Sequence, residues 1–437
     1  MPQLIIALDC DRPMAAPSRH VLDGLDEVTF GRGDRRVRRD GTTLAVRLPD
    51  PRMSTEHGRL VRQGGGWVLD DPSSKNGCVV NGSLMRRRAL ADGDVLELGH
   101  TFCLFRVAPA ATGEPDLDAD QLTVTRPDLA TFGGDLERAF ARLTRIAATD
   151  VPVLIHGETG TGKEVVARAV HELSARRGPF VAINCGALTE SLLEAELFGA
   201  RKGAFSGATA DRIGLVRAAD GGTLFLDEIA ELRPHSQAAL LRVLQEREVI
   251  AIGDTKPVRV DVRFCAATHR KLEDLVDRGG FRADLYARLY GYVADLPPLR
   301  QRREDLGLLV RALLRRTPGG ERARFTPSSA RLLFRHDWPR NVRELEKALA
   351  SAVPLAEGRA ITPDDLPEPL RREQARAAFP TPAPPPLDDD ALRARLVSLL
   401  ESHDGNVAAV ARAMGKERMQ IHRWARRFGL DLGSYRR

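Results

Sequence analysis

The chain is poor in cysteine, with five in 437 residues. Cys10, Cys78, Cys103, Cys185 and Cys265 are odd in number, widely spaced and form no C-x-x-C pair. That excludes a disulfide framework or a cysteine zinc site and points to a reducing, cytoplasmic setting. No apolar run approaches the roughly 18 residues that a membrane helix needs. The apolar patch Leu4 to Leu8 has no basic stretch before it, so it does not read as a secretory signal. There is no internal repeat. What is present is ordinary for a folded protein: 43% hydrophobic and 29% charged residues, long enough for two to four domains. Lys and Arg total 66 against 60 acids, and the net charge of +6 tilts toward an anionic partner without naming one.

The chain divides by pattern. From Glu27 to about Val107 short alternations such as Leu44, Val46 and Leu48 are broken by Gly64-Gly65-Gly66, Asn76-Gly77, Asn81-Gly82 and Asp92-Gly93. This is the spacing of hairpins in a β-sandwich. The small, acidic stretch Ala108 to Asp120 reads as the start of a linker. Beyond it, helical runs alternate with the apolar strands VPVLIH, TLFLD and VRFCAAT, which implies a parallel sheet. From about Arg302 to Leu370 only helical pieces remain, with starts at Thr326-Pro327, Trp338-Pro339 and Thr362-Pro363. PTPAPPP is a polyproline-type spacer. After it, Leu392, Leu396, Leu399 and Leu400 begin a three-helix pattern completed by Val407, Val410, Ile421, Trp424 and Phe428.

Two features carry chemistry on their own spacing. Gly157 to Glu164, GETGTGKE, follows an apolar strand and opens a helix, the context of a P-loop. Backbone N–H groups at Gly157, Glu158, Thr159, Gly160, Thr161 and Gly162 would ring the phosphates, with Lys163 on the outer ones; Glu164 replaces the usual hydroxyl residue. Asp227-Glu228 ends the strand Leu224 to Leu226 at the sheet edge where α/β proteins bind ligands. Asp227 would hold Mg²⁺, directly or through water, and Glu228 would orient the attacking water. A basic cluster, Arg412, Lys416, Arg418, Arg423, Arg426 and Arg427 against the single acid Glu417, marks the C-terminal helices for DNA phosphates.

In order, GETGTGKE, FVAINCGAL, ELFGARKGAFSGA, GGTLFLDEI, FRADLYARL, LPPLRQRREDL and WPRNVRELE resemble the AAA+ domain of bacterial enhancer-binding proteins, the activators of sigma-54 RNA polymerase, from about Phe132 to Leu370. The resemblance implies an ATPase working as a homo-oligomeric ring with ATP and Mg²⁺. It makes Asn184 the switch residue that holds Glu228, Arg282 and Arg288 arginine fingers for a neighbouring subunit, and Arg343 the sensor on the lid. It makes Gly203, Ala204, Phe205, Ser206, Gly207 and Ala208 the loop that touches the sigma factor. His269, Tyr290 and Arg340 depart from the family's usual residues. FGRG, R-x-S-x-x-H, DDPSSKNG and LADGDVLELG resemble a forkhead-associated domain, which implies that Arg32, Ser54 and Asn76 bind a phosphothreonine protein, with input from a Ser/Thr kinase. DGNVAAVARAMG resembles a Fis-type helix-turn-helix, with Arg418, Gln420, His422 and Arg423 on enhancer DNA.

The resulting expectation is a multidomain chain: a forkhead-associated β-sandwich (1–108), a linker (109–128), an α/β P-loop AAA+ domain (129–371) with a helical lid from about 302, a Pro-rich linker (372–387) and an all-α helix-turn-helix (388–437). Two alternatives stay open: a phosphopeptide-responsive DNA-binding regulator with an impaired ATPase, and an AAA+ remodeller of another protein.

Overall fold

The computed structural model describes residues 1–107, 116–122, 129–204 and 210–376, and, further on, 396–400, 405–407, 410, 423–425, 428, 430, 432 and 435. It separates into two compact units, Met1–Glu373 and Gln374–Arg437. Among the described residues no helix is long and apolar enough to cross a membrane.

The first unit begins with a sandwich of a seven-stranded and a six-stranded sheet. Alternation works as expected in the six-stranded sheet, where Leu44, Val46 and Leu48 are buried and the residues between them are half-buried. They join Val28, Phe30, Leu60, Trp67 and Leu69 in a core shared with Leu96 and Leu98 of the opposite sheet. The hairpin between Cys78–Val80 and Ser83–Met85 turns at Asn81 (φ 50°) and Gly82 (φ 81°). Two successive positive φ values match the twist of a two-residue hairpin, which is why Asn-Gly stands there.

The seven-stranded sheet departs from simple alternation. Pro2–Asp9, Val95–Leu98 and Thr101–Val107 are buried almost throughout, because both of their faces are covered. One face packs into the sandwich through Leu4, Ile6, Cys103 and Phe105. The other, carrying Ile5, Ala7, Leu8, Phe102 and Leu104, enters a single apolar cluster with Leu308, Phe325, Leu333, Phe334, Trp338 and Leu349 of the lid. Strands buried on two sides read as continuous apolar runs, as LIIAL does.

The ATPase core is a five-stranded parallel sheet in the order Phe180–Asn184, Thr223–Asp227, Arg263–Thr268, Val153–Gly157, Tyr292–Leu296. Parallel pairing places Asn184 beside Asp227 and His156 beside Thr268, so the carboxyl ends of the central strands gather in one place. The lid follows as helices Leu306–Arg316, Pro327–Arg335, Asn341–Leu355 and Glu368–Arg376. Thr326 caps the second of these, accepting from Ser329 N, with Pro327 in the first turn. Thr362-Pro363 opens only a short 3₁₀ turn, fixed by a reciprocal cap between Thr362 and Asp365.

The sandwich and the lid are joined by more than apolar contact. Phe102 and Phe334 stack with centroids 5.3 Å apart and planes at 7°. Arg331 grips the buried Glu97 through Nε and Nη2 at 2.7 and 2.6 Å, and Arg335 Nη2 donates to Asn81 O at 2.8 Å. Phe325 N donates to Cys10 O at 2.7 Å. Within the stretch read as a linker, Asp116–Asp118 pairs with Ser18–Val21, Ala119 is buried in the shared cluster and Asp120 accepts from Arg311. Sandwich, intervening chain and ATPase therefore form one unit.

The second unit is held by Leu396, Leu400 and Val410, with Val407, Trp424 and Phe428 packed against them. Gly405, at a φ of 69° that glycine adopts freely, donates its N–H to Leu400 O.

Two predictions test the sandwich–lid junction. Phe334→Ala should lower global stability by about 3 kcal/mol, and sandwich and ATPase should unfold together, as read by guanidinium titration followed in each part. Burial and the adjoining Asp305 push Glu304 up to about 7, and burial pushes Asp305 up too. The native state thus holds a proton that the unfolded chain, with an ordinary carboxyl near 4.3, releases. Stability should fall as pH rises from about 4.3 toward 7, and Glu304→Gln should flatten that slope.

Candidate functional site

The cleft at the carboxyl ends of the ATPase strands has a volume of about 660 Å³ and is lined by P-loop, strand-end and lid residues. The P-loop runs from the buried strand Val153–Gly157 into helix Lys163–Leu173. Gly160 (φ 81°) and Gly162 (φ 103°) take conformations that side-chain-bearing residues rarely adopt. Lys163 is buried, and its Nζ donates to Gly157 O at 2.9 Å and Glu158 O at 3.3 Å. Thr161 Oγ1 donates to Glu158 O at 2.8 Å. The loop is thereby folded around its own lysine, with phosphate-binding amides of a helix N-terminus above it. Glu164 lines the cleft and pairs with Arg168 at 2.8 Å.

The lid holds this loop in place. Asn341 Nδ2 donates to Thr159 O at 3.0 Å and Glu158 Oε2 at 3.2 Å, while its Oδ1 accepts from Leu299 N. Arg300 grips Glu158 at 2.9 and 2.6 Å and draws that carboxyl down to about 2. Arg302 Nη2 donates to Thr161 O at 2.8 Å. Arg343 N donates to Gly160 O at 3.3 Å, and the Arg343 side chain lines the cleft. An added Cβ at Gly160 would lie 2.3 Å from Arg340 O. Arg300, Arg302 and Asn341 are functional contacts that the sequence reading missed, since each lies more than 140 residues from its P-loop partner.

Asp227 and Glu228 face Lys163 across the cleft. Burial, then the Glu228 charge, push the Asp227 carboxyl up. Its Oδ1 accepts from Glu228 N at 3.1 Å, and no ion pair offsets its charge among the described residues. A divalent cation would supply what this carboxylate lacks. Glu228 sits at φ 51°, an uncommon setting for a residue with a side chain and one found at functional sites. Its Oε1 is 3.7 Å from Lys163 Nζ, and its Oε2 is 2.7 Å from His269 Nδ1. Asn184, expected to hold Glu228, lines the same cleft, but its Oδ1 accepts from Gly186 N at 2.9 Å. The glutamate is engaged by His269 instead.

Arg282 stands just before helix Ala283–Leu289 and pairs with Asp284 at 2.7 Å; Arg288 lies in that helix's last turn. Both are exposed, and neither lines the cleft of its own chain. Gly203 (φ 83°) and Ala204 stand at the base of the expected sigma loop. Arg201 braces that base against Asp211 and Asp254 at 2.6 and 2.8 Å. Phe205, Ser206, Gly207 and Ala208 lie outside the described residues.

A second polar surface lies at the sandwich loops. Arg32 N donates to Ser54 O at 2.8 Å, while the Arg32 guanidinium is exposed with no partner among the described residues. Ser54 Oγ accepts from Lys75 N at 3.2 Å, and Asn76 Nδ2 donates to Arg52 O at 2.6 Å, joining the loops that carry the three expected residues. Behind them His57 is buried, and its Nδ1 accepts from Ser54 N at 3.1 Å; burial lowers its pKa, so it braces the loop as a neutral ring. Gly31 leaves space for Arg47 to cross and donate to Thr55 O. In the C-terminal unit Arg423 is exposed on a helical turn, whereas Arg418, Gln420 and His422 lie outside the described residues.

Comparison with known proteins follows this division. Residues 131–294 match the Sigma-54 interaction domain family, 300–382 the AAA+ ATPase lid domain family and 28–99 the FHA domain family. The transcriptional regulatory protein ZraR of Escherichia coli (strain K12) is 44% identical over 315 residues, 70% of this chain and 70% of its own length. ZraR of Salmonella typhimurium is 45% identical over 292 residues, 65% of each chain. The chain therefore spans about two thirds of the length of these relatives. The crystal structure of NtrX from Brucella abortus in complex with ADP superposes with a TM-score of 0.51 at 29% identity, covering 70% of each chain.

Gly160→Ala should weaken binding of a fluorescent ATP analogue by roughly tenfold or more, because the new Cβ meets Arg340 O and the φ is unfavourable. Wild-type affinity in that variant would refute the loop–lid geometry.

Proposed function

Since the chain belongs to the sigma-54-dependent AAA+ transcriptional activators and carries a forkhead-associated domain, we propose that it couples ATP hydrolysis to remodelling of the closed sigma-54 promoter complex into the open one. The observation that carries the reading is the convergence of Lys163, Asp227, Glu228 and Arg343 in one cleft.

P-loop amides and Lys163 bind the phosphates, and the apolar recess beside the P-loop helix, lined by Ala130, Val165, Leu309 and Val342, suits a purine base. Asp227 would hold Mg²⁺, which would supply neutralisation of the phosphate charge. Glu228 accepts a hydrogen bond from water and aims it at the outer phosphate. Arg343 reports the nucleotide to the lid. Arg282 and Arg288, exposed and outside their own cleft, serve the cleft of a neighbouring copy in a ring. The loop from Gly203 to Ala208 pushes on sigma-54. Arg32, Ser54 and Asn76 take a phosphothreonine by charge-assisted hydrogen bonds, and Arg418, Gln420, His422 and Arg423 bind enhancer DNA.

Open-complex formation on a sigma-54 promoter, assayed with and without ATP, tests the whole reading. Glu228→Gln should lower ATP turnover by about 10²-fold or more and abolish open complexes; background turnover in both proteins would sink the enzyme reading. Arg32→Ala should lose discrimination between a phosphothreonine peptide and its unphosphorylated form in a titration. Unchanged discrimination would remove the reader assignment.

A further inference from the structure

Resting on the phosphothreonine reading, we propose that Arg47 and Arg36 form a second anion subsite beside Arg32 and Ser54, so that the preferred partner carries an Asp or Glu side chain close to its phosphothreonine. Strands Arg36–Asp40 and Thr43–Leu48 pair antiparallel with Arg36 directly opposite Arg47, and residues so placed share one face of the sheet. Two like charges in that position repel. On the same outer face Arg38 is matched by Asp40, and Arg59 by Asp70 and Glu27, whereas neither Arg36 nor Arg47 has a carboxylate partner among the described residues. The pair is a concentration of positive charge that the sandwich itself leaves unbalanced.

Arg47 is held in place rather than left to extend into solvent. It crosses the adjoining strand at Gly31, where a Cβ would collide with its guanidinium, and its Nη1 donates to Thr55 O. Arg32 N donates to the preceding carbonyl, Ser54 O, at 2.8 Å. Consecutive carbonyls of one loop thus anchor the side chain of Arg47 and the backbone of Arg32. Arg47 also lines a recess of about 380 Å³ together with Glu56, Arg59 and Ser73. A guanidinium pinned through one N–H presents the others as a rigid fork, the geometry that suits a carboxylate. An anion bound there relieves the repulsion between Arg36 and Arg47 as well. In the parallel pairing Arg47 stands beside Gly31, one residue from Arg32. An extended peptide rises about 3.3 Å per residue, so a phosphate at Arg32 and a carboxylate at Arg47 suit a separation of roughly two or three residues.

The test is a fluorescence-anisotropy titration of the full-length protein with phosphothreonine peptides that carry glutamate or alanine at the second and third positions on one side of the phosphothreonine or the other. With wild type, a glutamate peptide should bind about three- to tenfold more tightly than its alanine counterpart. Arg47→Gln should erase that advantage and Arg36→Gln should reduce it, while both variants bind the alanine peptide within about twofold of wild type. No glutamate advantage on either side, or an advantage that survives in Arg47→Gln, would overturn the proposal. So would an equal loss for glutamate and alanine peptides, which would make Arg47 only a brace of the loop at Thr55. Arg36→Gln should leave the Arg47–Thr55 bond in place, so a selective loss in that variant cannot come from the loop. Unphosphorylated peptides separate the two readings. If phosphate adds nothing to wild-type binding, the phosphothreonine reading fails; an Arg47-dependent preference for glutamate in those peptides then upholds the anion subsite, and its absence overturns it.

Discussion

The apolar cluster between the seven-stranded sheet and the lid is the contact on which the rest of the first unit depends. It turns one face of a sandwich, which would otherwise meet water, into the floor of an ATPase lid. Phe102 against Phe334 and Glu97 within the grip of Arg331 fix the register of that contact. Stripping such a face would expose an apolar patch of the kind that soluble proteins avoid. Truncating one partner of the buried ion pair would strand a charge.

The lid is consequently a two-sided element. Helix Pro327–Arg335 meets the sandwich, and a short turn through the buried Trp338 leads to Arg340, Asn341 and Arg343 at the P-loop. Nothing longer than that turn separates the surface touched by the sandwich from the backbone that surrounds Lys163. Rigid elements packed in series are the physical means by which two sites can bias one another. The hydrogen bonds of Asn341 and Arg302 make the P-loop end of the series as well determined as the sandwich end.

What could be read from the sequence was local. GETGTGKE after an apolar strand, Asp227-Glu228 at a strand end and Asn81-Gly82 between short strands each carry their geometry within a few residues. The helix start at Thr326-Pro327 belongs with them. The docking of sandwich on lid was not read, because its polar contacts join residues as much as 254 positions apart, for which no spacing rule exists. A signal was nonetheless present. The unbroken runs LIIAL and FCLF lack the polar positions that a half-exposed strand would show, and that marks a second covered face. At the cleft, the departure at His269 marked the place where the side chain engaging Glu228 differs from the one that resemblance suggested.

Gly307 sets a limit on how freely this architecture can be recombined. A Cβ there would lie 1.9 Å from Ala7 O of the first strand, so the backbone of the lid helix and that of the sandwich touch without an intervening side chain. Such closeness is specific to one pair of surfaces. A receiver or ligand-sensing module grafted in place of the sandwich would meet a lid shaped for another partner, and exchanging the sandwich would require rewriting the lid helix with it. The first unit runs on to Glu373, so a division between exchangeable parts falls there and not at the end of the β-sandwich.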